Sequence, residues 1–175
     1  MQFPDPNVET LLQRFQPALG GDYEKYRNHV YRVLANCLLL DDNANVPTYA
    51  IAAVFHDIGI WTDHTFDYLA PSIAQLRAYF TETGQEALLE EISLMISWHH
   101  KTSRYTGPFE KTVETFREAD WTDVSLGLTS FGIQRSQLKA IREKFPNRGF
   151  HWFLLRQTFR NFLKHPLNPL PVFKK

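Results

Sequence analysis

The sequence predicts an all-α domain, on three observations. Apolar residues recur at steps of three and four in segment after segment. No stretch of useful length alternates as a strand does. Capping residues, Gly and Pro punctuate the periodic runs at helix-like intervals. Asp5 or Asn7 caps a short first helix through Phe15, ended by Pro17 and Gly20-Gly21. A second helix runs from about Asp22 to Leu40, with Tyr26, Val30, Val33 and Cys37 on one face. Asp41-Asp42-Asn43 is a turn. Asn45 caps a third helix that tolerates Pro47 in its first turn. Ile51, Ala52, Val54 and Phe55 make that helix almost wholly apolar, as burial on several sides requires, and Gly59 is placed to close it. After a loop from Trp61 to Tyr68, Pro71 opens a fourth helix that stops near Gly84. The fifth, Gln85 to about His100, turns Leu88, Leu89, Ile92, Met95 and Ile96 inward. The loop Lys101–Pro108 leads to a sixth helix from near Phe109, where Val113, Phe116 and Asp120 share a face. Stretches at about Gln134–Phe145 and Phe150–Lys164 complete one domain over residues 1–175. The tail from Pro166, with Pro169 and Pro171, reads as extended over the surface or loose.

Composition narrows the function classes. A chain of 175 residues, 43% apolar and with 14 Phe, has material for one real core. Basic and acidic residues balance at 19 each, which argues against an extended nucleic-acid surface. Cys37 stands alone, excluding an intramolecular disulfide and a Cys-rich zinc site, and it suits a reducing compartment. Met1–Pro6 is polar and has no secretory core. The longest apolar run, Val46–Trp61, is broken by Pro47, His56 and Asp57, short of a membrane span. The expectation is a cytoplasmic protein with no membrane partner. The aromatic run Phe150–Phe153, with Phe159 and Phe162, either buries in the domain or forms a homodimer surface.

His56-Asp57 is the sharpest chemical feature. An imidazole and a carboxylate stand at the C-terminal end of an apolar helix, where both the helix dipole and desolvation disfavour an anion. A bound cation offsets both terms. Alone, such a pair reads first as a hydrogen-bonded structural pair. His29 borders the apolar stripe of the second helix, and Asp120 shares the inner face of the sixth; each alone reads as a core histidine or an ion-paired acid. Two histidines and two aspartates from three helices, all aimed inward, are costly as isolated polar groups and natural as one metal site in a helical bundle. Nitrogen and oxygen ligation suits a divalent ion such as Mn, Fe, Co, Ni or Zn.

The ordered set His29, His56-Asp57, Asp120 resembles the H…HD…D signature of the HD-domain superfamily. Asn28–Val33 is similar to that family's first-histidine helix, Ala53–Gly59 to its apolar run into HD-[IL]-G, and Glu118-Ala119-Asp120 to the end of its motif. The resemblance covers about 22–124. It implies an all-helical, metal-dependent enzyme, usually a phosphohydrolase acting on nucleotides or other phosphate esters. His29, His56, Asp57 and Asp120 are then the metal ligands. On that reading Asp57 or Asp63 assists deprotonation of water, and one of His99 and His100 protonates the leaving oxygen, serves as a fifth or second-metal ligand, or contacts a substrate phosphate. Lys101 and Arg104 clamp a phosphate, with Arg32 a weaker candidate. Two-metal members of the family carry a further histidine between the HD pair and the later one. Here only His64 lies there, too early for the helix, so one metal is expected. An iron-dependent oxygenase and a non-catalytic metal-binding domain are the alternatives. His151 and His165 receive no role.

Overall fold

The structure is a computed structural model that describes residues 3–164, and every regular element among them is helical. Ten α-helices follow one another: α1 (Pro6–Arg14), α2 (Gln16–Leu19), α3 (Tyr23–Leu40), α4 (Val46–Phe55), α5 (Gly59–Thr62), α6 (Leu69–Thr83), α7 (Leu89–Trp98), α8 (Glu110–Val124), α9 (Arg135–Lys144) and α10 (Phe150–Lys164). The tail from His165 lies outside the described residues.

α3 is the axis. Every residue from Asn28 to Cys37 is buried, so this helix has no solvent face over almost three turns. α8 and α4 pack against it, and α7 packs on α4 and α8. The buried amides of α3 donate across to neighbouring backbone: Asn36 to the Ala119 carbonyl and Asn28 to that of Pro146. α4 is buried from Thr48 to Phe55, as its unbroken apolar composition predicts. Asp5 caps α1, its carboxylate accepting from the backbone N–H of Asn7 and of Val8.

Three local expectations need correction. The fifth helix does not start at Gln85. A 3-10 turn over Glu86–Leu88 precedes α7, and Leu88 and Leu89 are only partly buried. The expected loop from Trp61 begins inside α5. Trp61 is buried, its indole N–H donating to Asp22. Gly59 does not close α4, which ends at Phe55. It opens α5, where the start of α6 crosses so closely that a Cβ would lie 2.5 Å from the Tyr68 carbonyl oxygen and 2.8 Å from Pro71 Cβ. Its N–H donates to Ser72 Oγ at 2.9 Å. The glycine is a packing requirement: Gly59→Ala should lose at least about 1–3 kcal/mol in urea unfolding, because backbone rather than a flexible side chain must move.

Candidate metal centre

Four helices deliver the cluster. α3 brings His29, His56-Asp57 directly follow α4, His99-His100 directly follow α7, and α8 carries Asp120 and, one turn on, Asp123. His29, His56, His99, Asp57 and Asp120 are all buried. α4 and α7 both terminate here, so the partial negative charge of two helix C-termini adds to that of the carboxylates.

The rings are oriented from behind. His29 Nδ1–H donates to Asp123 Oδ2 at 2.7 Å, His56 Nδ1–H to the Ala53 carbonyl at 2.8 Å, and His99 Nδ1–H to the Ile96 carbonyl at 2.7 Å. With Nδ1 committed as donor, each Nε2 turns a lone pair into the cluster. His29 Nε2 and His56 Nε2 stand 2.9 Å apart. Asp57 Oδ2 lies 3.6 and 3.4 Å from these two nitrogens, and Asp120 Oδ1 lies 3.5 and 3.8 Å from them. Asp57 Oδ1 faces the other way, 3.3 Å from His99 Nε2 and 4.0 Å from His100 Nε2. Asp57 Oδ1, His99 Nε2 and both Asp120 oxygens are buried without a hydrogen-bond partner among the described residues.

Such an arrangement could hold a cation. Lone pairs facing one another in a dry interior repel unless positive charge sits among them. Ligand atoms held about 2.0–2.2 Å from one ion lie roughly 3.0–3.5 Å apart in octahedral or tetrahedral geometry, close to the spacing seen here. The residues fit a divalent metal. They form two groups that share Asp57: His29, His56 and Asp57, and Asp57, His99 and His100.

Without metal, protons take its place. Burial disfavours the His29 imidazolium, but Asp123, Asp57 and Asp120 outweigh it and raise the pKa to about 9. Burial raises Asp120 to about 7 against the pull of His99 and His29. Burial also drives His56 down to about 3, although Asp57 opposes it. Burial works against the Asp57 carboxylate, yet His56, His29 and His99 hold its pKa well below the usual range. An ion must displace the protons on His29 and Asp120, so affinity should climb as pH rises through 7 and again toward 9. Calorimetry in two buffers of different ionisation enthalpy should report about two protons released per ion at pH 6 and about one at pH 8.

The four sequence-assigned ligands, with His99 and His100, do come together. His100 is 17% exposed and hydrogen-bonds the Tyr68 hydroxyl. Arg32 is corrected: it is buried, with Nε 2.6 Å from Asp123 Oδ1, Nη2 2.9 Å from Oδ2, and Nη1 donating to the Phe145 carbonyl. A guanidinium held this way supports Asp123 and does not reach a substrate. Asp63 is not in the cluster either. It is exposed at the end of α5, accepting from Thr62 Oγ1. Arg104 is a surface side chain paired with Glu110 at 2.9 Å. Lys101 directly follows the histidine pair, and its carbonyl accepts from the Trp121 indole. Sequence reasoning missed Asp123 and Tyr68; the expectation that one of His99 and His100 could be a further metal ligand has its counterpart in the group Asp57, His99 and His100, which could hold an ion. His151, given no role, donates from Nε2 to the Asp123 carbonyl at 3.0 Å. No family model, curated protein or solved structure matches the chain.

Proposed function

We propose that the chain is a metal-dependent phosphohydrolase that cleaves a phosphate ester of a nucleotide or another small metabolite. The observation that supports this most is the convergence of three imidazole Nε2 atoms and two carboxylates on one dry volume. The ligands follow the order in which an HD-domain centre carries them. His29, His56, Asp57 and Asp120 hold the ion. A bound divalent cation supplies a Lewis acid at the phosphoryl group and lowers the pKa of a neighbouring water. Asp57 Oδ1, without a hydrogen-bond donor of its own among the described residues, is available to accept that water's proton. Burial works against the His99 imidazolium, but Asp57 and Asp120 favour it, and in that form its Nε2, 3.3 Å from Asp57 Oδ1, carries the proton that reaches the leaving oxygen. His100 forms the solvent-reaching edge, held by the hydroxyl of the buried Tyr68, and orients the substrate there.

A second reading has one specific observation in its favour. Asp57 with His99 and His100 makes a second three-ligand group, which is what a two-ion centre, and the oxygenase alternative, would need. His99→Ala distinguishes the two: with one ion it leaves metal stoichiometry unchanged, and with two it removes one of them. Phosphate release with Mn or Co supports the hydrolase, provided Asp57→Ala abolishes it. Bound iron with oxygen consumption and no hydrolysis moves the assignment to an oxygenase. Metal uptake without turnover on any phosphate ester overturns the enzymatic reading.

A further inference from the structure

α10 turns its apolar face outward. Trp152, Leu155, Phe159, Phe162 and Leu163 are between 49 and 73% exposed, and their helical spacing places them on one outer stripe. The helix meets the body through Phe150, Phe153 and Leu154, with the polar Gln157 and Asn161 further along that side. A contiguous exposed stripe of this size marks an interface.

Charge identifies the partner. None of the 19 acidic residues lies after Glu143, whereas seven of the 19 basic residues do. The neutral chain thus divides into a positive segment over 144–175 and a negative remainder. On α10, Arg156 and Arg160 border the apolar stripe, exposed and without an ion-pair partner among the described residues. A second copy fits poorly. Pairing α10 with α10 sets cation against cation with no carboxylate on either helix. On the acidic body the large exposed hydrophobes among the described residues are Leu39, alone on α3, and Phe109, Leu126, Leu128 and Phe131 in connecting segments, so none repeats as a helical stripe that would match α10. Nucleic acid fits poorly too, because the outermost line of the helix is hydrocarbon and its cations lie at the border.

We propose that α10 docks the protein on an anionic lipid surface. The aromatic stripe enters the boundary between headgroups and acyl chains, and Arg156 and Arg160 face the lipid phosphates. This contact runs along the surface, as no described helix is long and apolar enough to cross a membrane. It does not depend on the proposed hydrolase activity.

Flotation of the full-length protein with vesicles tests it. The protein should float with phosphatidylcholine–phosphatidylglycerol vesicles, stay behind with phosphatidylcholine alone, and be released by high salt. Tryptophan emission should shift to the blue on binding, and Trp152→Phe should keep the binding while losing most of the shift. Arg156→Glu/Arg160→Glu should lower partitioning at least about tenfold, and Leu155→Ser/Phe159→Ser should abolish it. All of these positions are exposed, so circular dichroism and metal uptake should match the parent protein. Failure to bind the anionic vesicles overturns the proposal, as does equal binding to neutral ones. A concentration-dependent dimer lost in Leu155→Ser/Phe159→Ser would assign the face to a second copy, and RNA retention without vesicle binding would assign it to nucleic acid.

Discussion

Asp57→Ala should abolish stoichiometric metal uptake. Its two oxygens serve different imidazole pairs, Oδ2 toward His29 and His56 and Oδ1 toward His99 and His100, so one truncation removes a ligand from both groups. Loss of an outer-shell partner typically costs 10–100-fold in metal affinity. Loss of this carboxylate should therefore exceed about a hundredfold. Thermal denaturation with and without added Mn gives the internal control. An ion at about a hundredfold excess over its Kd stabilises by about 2.7 kcal/mol, or roughly 5–10 °C in a domain of this size. In Asp57→Ala that increment should vanish while the ion-free protein melts within a few degrees of the parent. A variant that keeps the increment would place the ion elsewhere, and the metal centre would be refuted.

Arg32→Ala should be the most destabilising single change at the site. It leaves the buried Asp123 carboxylate with His29 as its remaining charged partner and frees the Phe145 carbonyl that ties α9 to α3. Asp123 is ionised because Arg32 and His29 overcome burial and hold its pKa far below the usual carboxylate range. Breaking one side of a buried pair costs about 3–5 kcal/mol, so the melting temperature should fall by roughly 10–15 °C. Asp123→Asn should differ. It strands the guanidinium and also weakens the Nδ1 contact that sets the His29 tautomer, so metal affinity should drop about 10–100-fold along with stability. Calorimetric metal titration of both variants at a temperature where each is folded separates the two effects. Equal metal affinity in Asp123→Asn and the parent would remove Asp123 from the centre.

Much of this was legible beforehand, for identifiable reasons. Periodicity located α3, α4, α6 and α8 because each buries a face or more, and Gly84 marked the end of α6 through its left-handed backbone, φ +68°. His29 and Asp120 were placed inward by their neighbours on the helix. Arg32 was misassigned because an arginine near a site reads as a phosphate clamp. The available signal was spacing: Arg32 follows His29 by three residues and Asp123 follows Asp120 by three, so both extra charges share the inner faces of two helices that pack together. The role of Gly59 depends on where α6 crosses, which no local pattern encodes. The length of α10 was readable, but its orientation was not, since an aromatic helix looks alike whether it faces a core or a partner.

His29 is held at both ends, by Asp123 behind and His56 in front, and Asp123 is in turn gripped by Arg32. The consequence is for redesign. Exchanging His29 for a cysteine or a carboxylate to favour another ion would deprive the aspartate of its imidazole N–H, and a carboxylate would set two anions side by side. Positions 29, 32 and 123 form one unit of substitution, and a tolerated ligand swap at the first should demand a compensating change at the third.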